Sequence, residues 1–248
     1  MKNKEWLTQI IKKDAPNLKY DVTEEEATKL RSIYNDFLKR RKKLKKVAKT
    51  FKMKFADIIQ IKNDYFVRFR VKDAGHLIIK ILREETKIRK LLTVSNYLSY
   101  FKDLIGFRVL CVNQADKLIY LKQFNNIVRD IEEIKFYTSN LERKKEYLIE
   151  KEKYEKNTKC ELEFRNEPTP YESIHVYTKP LNNDVMIEFQ IRTLFEEAWG
   201  EVDHTLKYPY NMDDDVIKEQ MSILFSVSEV ADKIITSAFN RKNDKNNK

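Results

Sequence analysis

Over residues 186–192 apolar and polar side chains alternate, strictly so from Ile187 on. Ile187, Phe189 and Ile191 fall on one face of an extended chain and Glu188, Gln190 and Arg192 on the other, the period of two that marks a strand with one packed face. Helical spacing follows over 194–207, so this strand runs directly into a helix. The same two periods divide the rest of the chain. Thr23 with Glu26 reads as a capping box, opening a helix to about Phe51 with Ala27, Leu30, Ile33, Tyr34 and Leu38 as its buried stripe. Residues 64–71 predict a strand, Gly75 a turn and residues 76–89 an amphipathic helix. A short helical segment at 97–101, a buried strand over 104–112, a helix over 115–131 and a strand over 134–137 come next. Further strands are predicted over 160–164, 173–177 and 185–192, the last two as a hairpin, and a final helix over 214–240.

These elements describe an α+β domain, a mixed sheet of about five strands packed by helices, with helical extensions at both ends. The divisions expected are an N-terminal helical arm (1–58), a central domain (59–210) and a C-terminal helix with a basic disordered tail (211–248). With 42% hydrophobic residues among 248, the chain can bury a core; three glycines against 35% charged residues describe long elements joined by few tight turns. A net charge of +10 favours anionic partners. Much of it lies in one run, Lys39 to Lys43 with Lys45, Lys46 and Lys49, which reads either as an RNA contact or as a solvated helix face. Residues 142–157 form a second charge-dense stretch, read as a solvent-exposed helix or a mobile lid. Cys111 and Cys160 stand in no metal-ligand spacing, so reduced thiols and a cytoplasmic setting are expected. No run approaches the roughly 18 uninterrupted apolar residues of a spanning helix, and no membrane association is expected.

A carboxylate, an amide and a guanidinium on successive same-side positions can serve a metal ion, a polar group and a phosphate within one small site. Glu188-Phe-Gln-Ile-Arg192-Thr193, with Trp199 and Asp203-His204 beyond it, is similar to the EIQIRT signature of RelA/SpoT-type alarmone synthetases. Tyr171-Glu-Ser173-Ile-His175 resembles that family's acceptor-nucleotide loop, and Asp103-Leu-Ile-Gly-Phe-Arg108 resembles its metal-binding Asp and following Arg. Arg70-Val-Lys72 with His76 and Lys80 matches its ATP-binding run in spacing. Four blocks in family order are far more specific than any one. The resemblance implies a nucleotidyltransferase-like fold and pyrophosphate transfer from ATP to the ribose 3′-hydroxyl of GDP or GTP, making (p)ppGpp.

It also implies roles. Asp103 and Glu188 would hold Mg²⁺, which takes oxygen ligands and usually only one or two protein carboxylates; Glu188 would in addition accept the hydroxyl proton. Arg70 and Arg108 would enclose the adenine, with Lys72, His76 and Lys80 against the ATP phosphates. Tyr171 would stack on the acceptor base, and Ser173, His175, Gln190, Arg192 and His204 would surround the acceptor. Glu197 stands where the family has Asn or His; its carboxylate could accept guanine N1–H and the 2-amino group, or an exocyclic amine of another base. In place of the usual Lys-Pro-x-Gly-Tyr-Arg-Ser the chain has Glu167-Pro-Thr-Pro170-Tyr171-Glu172-Ser173. The 3′ end of tRNA and an adenine nucleotide therefore stand as alternative acceptors, and a nucleotide- or RNA-binding module without catalysis as a third reading. No His-Asp dipeptide occurs, so the hydrolase of longer family members is not expected. Small members are often oligomers, and the 214–240 helix could serve such an interface.

Overall fold

The computed structural model describes residues 2–59, 67–127, 131–165, 171–179, 185–207 and 214–246. The start of the first predicted strand, residues 166–170 ahead of Tyr171 and the turn 180–184 of the predicted hairpin lie outside them.

Two helices open the chain, α1 (Asn3–Asp14) and α2 (Glu24–Ile59). The capping box forms: the Thr23 amide donates to Glu26 Oε2 at 3.0 Å and the Glu26 amide to Thr23 Oγ1 at 3.1 Å. The helix continues well past Phe51. Its buried stripe takes Phe37 in place of Leu38, which is 44% exposed. Phe37 lies four residues after Ile33 and seven after Leu30, so the 3.6-residue period carries it inward, and Leu44, Ala48 and Phe55 continue the stripe.

After α2 come β1 (Val67–Val71), α3 (Ala74–Arg83), α4 (Thr86–Leu91), α5 (Tyr97–Tyr100), β2 (Ile105–Cys111) and α6 (Gln114–Ile127). The chain continues through β3 (Ile131–Thr138), α7 (Leu141–Tyr154), β4 (Lys159–Phe164), β5 (Ser173–Thr178), β6 (Ile187–Thr193), α8 (Leu194–Lys207) and α9 (Asp215–Asn246). The strands form one mixed sheet in the order β1-β2-β6-β5-β3-β4, with six members where about five were expected. All six segments with strand patterning pair, because β4 adds to β3 in parallel as the outer edge, where Lys159, Glu161 and Glu163 keep it charged. The β2–β6 pair is also parallel, and the other three pairs are antiparallel. Helix α9 runs on past residue 240 with Lys245 in its last turn, the sign of charge a helix C-terminus favours.

Register sorts the sheet into two chemically distinct faces. On the apolar face Phe107 and Phe189 stack at 4.7 Å, Phe55 of α2 stacks on Phe189 at 5.4 Å and Phe124 of α6 meets it edge-on at 4.9 Å. Helix α2 thus closes the same core as the sheet. The charge-dense segment docks too: α7 buries Tyr147, 5.1 Å from Phe136, and turns Glu150 inward. On the opposite face Arg70, Gly106, Glu188 and Tyr177 form one cross-strand row, and Arg68, Arg108, Gln190, His175 and Lys135 the next. This face is also covered around β6, where Glu188 and Arg192 are buried, and α8 lies over it. A small second core of Trp199, Met221 and Phe225 joins α8 to α9, with the Trp199 indole donating to the Met221 carbonyl at 3.0 Å. Both cysteines are free thiols, Cys111 buried and Cys160 half-buried.

Candidate active site

The polar face opens into a cleft of about 240 Å³ lined by Arg68, Arg70, Asp103, Gly106, Arg108, Glu188, Gln190 and Glu201. Arg70, Asp103, Arg108, Glu188 and Gln190, singled out from sequence, meet there. Three neighbouring strands deliver them in register, with Asp103 just ahead of β2. Gly106 carries no side chain between Arg70 and Glu188, and Arg70 lies across it, its Cγ 3.8 Å from where a Cβ would stand.

Asp103 anchors the cationic end of the cleft. Lys72, just beyond β1, donates to Asp103 Oδ2 at 2.6 Å and Lys80 of α3 pairs with the same oxygen at 2.8 Å. Gly75 sits in the first turn of α3 and donates to the Asp73 cap at 2.8 Å; a Cβ there would collide with the Asp14 carboxylate. Burial pushes the Asp103 pKa up, but the two ammonium groups outweigh it and hold the carboxyl below its ordinary range. For Lys72 burial wins and the pKa is lowered in spite of the pair. The other oxygen, Asp103 Oδ1, is buried with no hydrogen-bond partner. An orphaned carboxylate oxygen on a residue that lines the cleft fits a hard cation. Among the described residues no group of three or more His, Cys, Asp or Glu is disposed around a metal; the carboxylates of Asp103 and Glu188 both line the cleft.

Glu188 is supplied with donors on both oxygens: the Tyr177 hydroxyl donates to Oε1 at 2.9 Å and Gln190 Nε2 to Oε2 at 2.9 Å. His175 links this pair to the next subsite, its Nδ1 3.3 Å from the Tyr177 hydroxyl and its Nε2 3.1 Å from that of Tyr171. One placement of protons satisfies every partner: Arg192 donates to Tyr171, Tyr171 to His175, His175 to Tyr177 and Tyr177 to Glu188. It needs a neutral imidazole, and burial does lower the His175 pKa. Burial alone would raise that of Glu188; His175, whose Nδ1 also lies 3.3 Å from Oε1, together with the hydrogen bonds of Tyr177 and Gln190, more than reverses it.

On the far side of Gln190, Arg192 organises a second subsite. Its Nε donates to Ser173 at 3.3 Å, Nη1 to Glu197 at 3.2 Å and Nη2 to Tyr171. Its guanidinium lies 5.1 Å from the Tyr171 ring centre, that of Arg165 5.3 Å, and Tyr137 meets the ring edge-on at 5.3 Å. Gly200 of α8 admits Arg192, since a Cβ there would stand 2.9 Å from Nη1. Ser173 is buried and serves this scaffold. Glu197 accepts from Arg108 as well as from Arg192, so both its oxygens are engaged. His204 of α8 lies in the field of the cleft's cations: burial, then the charge of Arg70, lowers its pKa, with Arg108 and His76 adding to the same effect.

Residues that sequence reading passed over complete the picture. Arg68 and Tyr177 alternate with Arg70 and His175 on their strands, a signal that was available. Glu172, which stands where the resembling motif has Arg, accepts from Thr138 at 2.7 Å and the Ser139 amide at 2.8 Å and pairs with Arg143 of α7 at 3.3 Å. Arg143 reaches on to Glu229 of α9 at 2.7 Å. Beside it Lys117 of α6 is buried against Glu196 of α8 at 2.8 Å, and Gln114 and Thr193 donate to Asp232 of α9 at 2.9 and 2.7 Å.

A family model described as a region found in RelA / SpoT proteins matches residues 69–213. Similar solved structures include small alarmone synthetase 1 from Bacillus subtilis, at 19% identity and a TM-score of 0.58 over 81% of this chain and 94% of that one. The same synthetase bound to its product pppGpp aligns at 18% and 0.53 over 79% and 93%, and bound to AMPCPP at 15% and 0.51 over 81% and 94%. At these identities the likeness is one of fold. No curated protein matches the sequence. The family region takes in the cleft residues from Arg70 to Glu201, the carboxylates of Asp103, Glu188 and Glu201 among them, and the strand that bears Glu188, Gln190 and Arg192, and the chain belongs to the RelA/SpoT family.

Proposed function

We propose that the protein is a GTP pyrophosphokinase of the cytoplasm, moving pyrophosphate from ATP to the ribose 3′-hydroxyl of GDP or GTP and so making (p)ppGpp. The observation that carries the proposal is the meeting of Asp103 and Glu188 with Arg70 and Arg108 in one cleft. Guanidinium planes suit the adenine ring, and Lys72, Lys80 and His76 suit its phosphates. Asp103 and Glu188 would hold Mg²⁺, Asp103 through the oxygen that has no other partner. Held by these two carboxylates, Mg²⁺ would supply neutralisation of the triphosphate's charge. The donors around Glu188 favour its charged form, which suits a ligand; accepting the hydroxyl proton, its second proposed role, works against them. Tyr171, with Arg192 and Arg165 beside it, offers the acceptor an aromatic face and cations.

Transfer to a tRNA 3′ end or an adenine nucleotide is the second reading, favoured by Glu197, which as an acceptor-only group can also receive an exocyclic amine. Terminal-phosphate-labelled ATP with Mg²⁺ and GDP, GTP, ADP or tRNA in parallel separates the readings, with Asp103→Ala as the blank. A labelled guanosine polyphosphate that vanishes in the variant is expected. Label in tRNA or an adenine product would reassign the acceptor, and label nowhere would leave a binding module. A homo-oligomer is proposed through α9, where Val216, Ile223, Val227, Val230 and Ile234 stand exposed at heptad spacing. Light scattering tests it, and a monomeric mass at micromolar concentration would rule it out.

A further inference from the structure

We infer that Arg143 is a positioning residue for the acceptor side: with Thr138 and Ser139 it holds the Glu172 carboxylate, and through Glu172 it fixes the place of Tyr171. The inference rests on the assignment of Tyr171 to the acceptor base just proposed. The β3–β5 ladder ends at the pair Tyr137 and Ser173, so the pairing of the sheet stops short of Tyr171. Glu172 bridges that gap. It is buried, and its Oε1 accepts from the Thr138 hydroxyl at 2.7 Å, the Ser139 amide at 2.8 Å and the Ser139 hydroxyl at 3.3 Å. Arg143 Nε stands 3.3 Å from Oε2, and both atoms are buried with no hydrogen bond elsewhere. Tyr171 and Ser173, on either side of Glu172, both contact Arg192. Whatever holds the middle residue therefore steadies Tyr171 against Arg192.

The anchor is built from one corner of the fold. Thr138 ends β3, Ser139 follows it, and Arg143 stands in the first turn of α7, which Asn140 caps by accepting from the Glu142 and Arg143 amides at 2.9 and 3.1 Å. Such a helix start favours a negative charge. An arginine at position 172, as in the resembling motif, would offer no acceptor to the Thr138 hydroxyl or the Ser139 amide, so the acidic residue and this corner suit each other. Burial raises the Glu172 pKa, and Arg143 is the foremost charge that opposes the rise. Removing Arg143 moves the group toward its neutral form, a weaker partner for the Ser139 amide. Arg143 is itself held, its Nη2 donating to Glu229 of α9 at 2.7 Å. The charge-dense stretch over 142–157 thus has a task at the site: its first turn keeps Tyr171 beside Arg192.

Two measurements on the full chain test this. Hydrogen exchange at the Ser139 amide reads the anchor without any nucleotide, and it should quicken in Arg143→Ala and in Glu172→Gln. Calorimetry with Mg²⁺ reads the consequence, titrating AMPCPP alone and GDP with AMPCPP present. Arg143→Ala should weaken GDP on the order of tenfold while AMPCPP stays within about twofold, and Arg143→Lys, which keeps the charge, should regain most of the loss. Glu172→Arg, which writes in the residue of the motif, should weaken GDP in the same way. Ser139 exchange that does not change, equal weakening of both nucleotides in Arg143→Ala, or GDP bound more tightly by Glu172→Arg would each overturn the inference. GDP that fails to bind the unaltered protein would overturn the acceptor assignment beneath it, and Ser139 exchange would still decide the anchor.

Discussion

Tyr177 is itself assigned to no nucleotide, yet it holds the carboxylate oxygen on which the proposed metal site depends. Outer partners of metal ligands are commonly worth 10- to 100-fold in affinity or activity. Tyr177→Phe is therefore expected to raise the Mg²⁺ concentration for half-maximal label transfer by about tenfold or more, at a cost of about 1 kcal/mol in stability; an unchanged Mg²⁺ titration would separate Tyr177 from the site. The histidines make a second residue-level prediction. Burial lowers the pKa values of His175 and His204 from 6.5, so the unfolded chain binds protons that the folded one does not. Their contribution to stability is present above 6.5 and is lost as pH falls toward the folded values. Glu188 adds the same sign at lower pH, stabilising above 4.5 and losing that effect as its depressed folded value is approached. The melting temperature should drop between pH 7 and 5, and His175→Asn should flatten that slope. Much at this scale was readable: the alternation over 186–192 puts Glu188, Gln190 and Arg192 on one face, and the structure agrees. The engagement of Glu197 by two arginines was not, because its partners lie 89 and 5 residues away on different strands and no local spacing joins them.

Among the elements, the least legible feature is the polar junction where α6, α7, α8 and α9 meet. Lys117 shares a helical face with the buried Leu121 and Phe124, which signals a lysine pointing inward, but nothing in the sequence names Glu196 as its partner. Removing one member of a buried pair strands the other charge. Lys117→Met is expected to destabilise the protein by about 3–5 kcal/mol, and Lys117→Met with Glu196→Leu to recover a large part of that, as read by urea unfolding. A single and a double variant of equal stability would show that the pair carries no coupling. The helices and strands themselves were found by period, with errors where period is weakest. Helix α2 outruns its expected end, and one step of 100° separates Phe37 from the expected Leu38. The segment 142–157 reads as exposed by charge, yet Tyr147 is enough to seat α7 on the sheet.

For the molecule as a whole, pairing is the part that local pattern does not contain: β2 lies beside β6 although some eighty residues separate them, and only the family resemblance implied a topology. The layering has a consequence for the basic run. Lys39, Lys42, Lys43, Lys45, Lys46 and Lys49 are exposed on α2, the helix that covers the apolar face of the sheet, while the cleft opens on the other face. RNA held there would be a tether, not an acceptor. Replacing Lys39, Lys42 and Lys46 by Glu should weaken RNA binding and flatten its salt dependence, by about 0.7 to 0.9 in the logarithmic slope per lost phosphate contact, with transfer to GDP unaltered. Loss of transfer in step with loss of RNA would instead make RNA part of the reaction.

The strict alternation of β6 has one more consequence. Ile187, Phe189 and Ile191 build the core with the same strand whose intervening residues face the cleft. A slip of one position would bury the charges and expose the aromatics together. Half-right molecules that are stable but sluggish are thereby excluded. Specific activity, for this protein, amounts to a head count of chains that threaded that strand correctly.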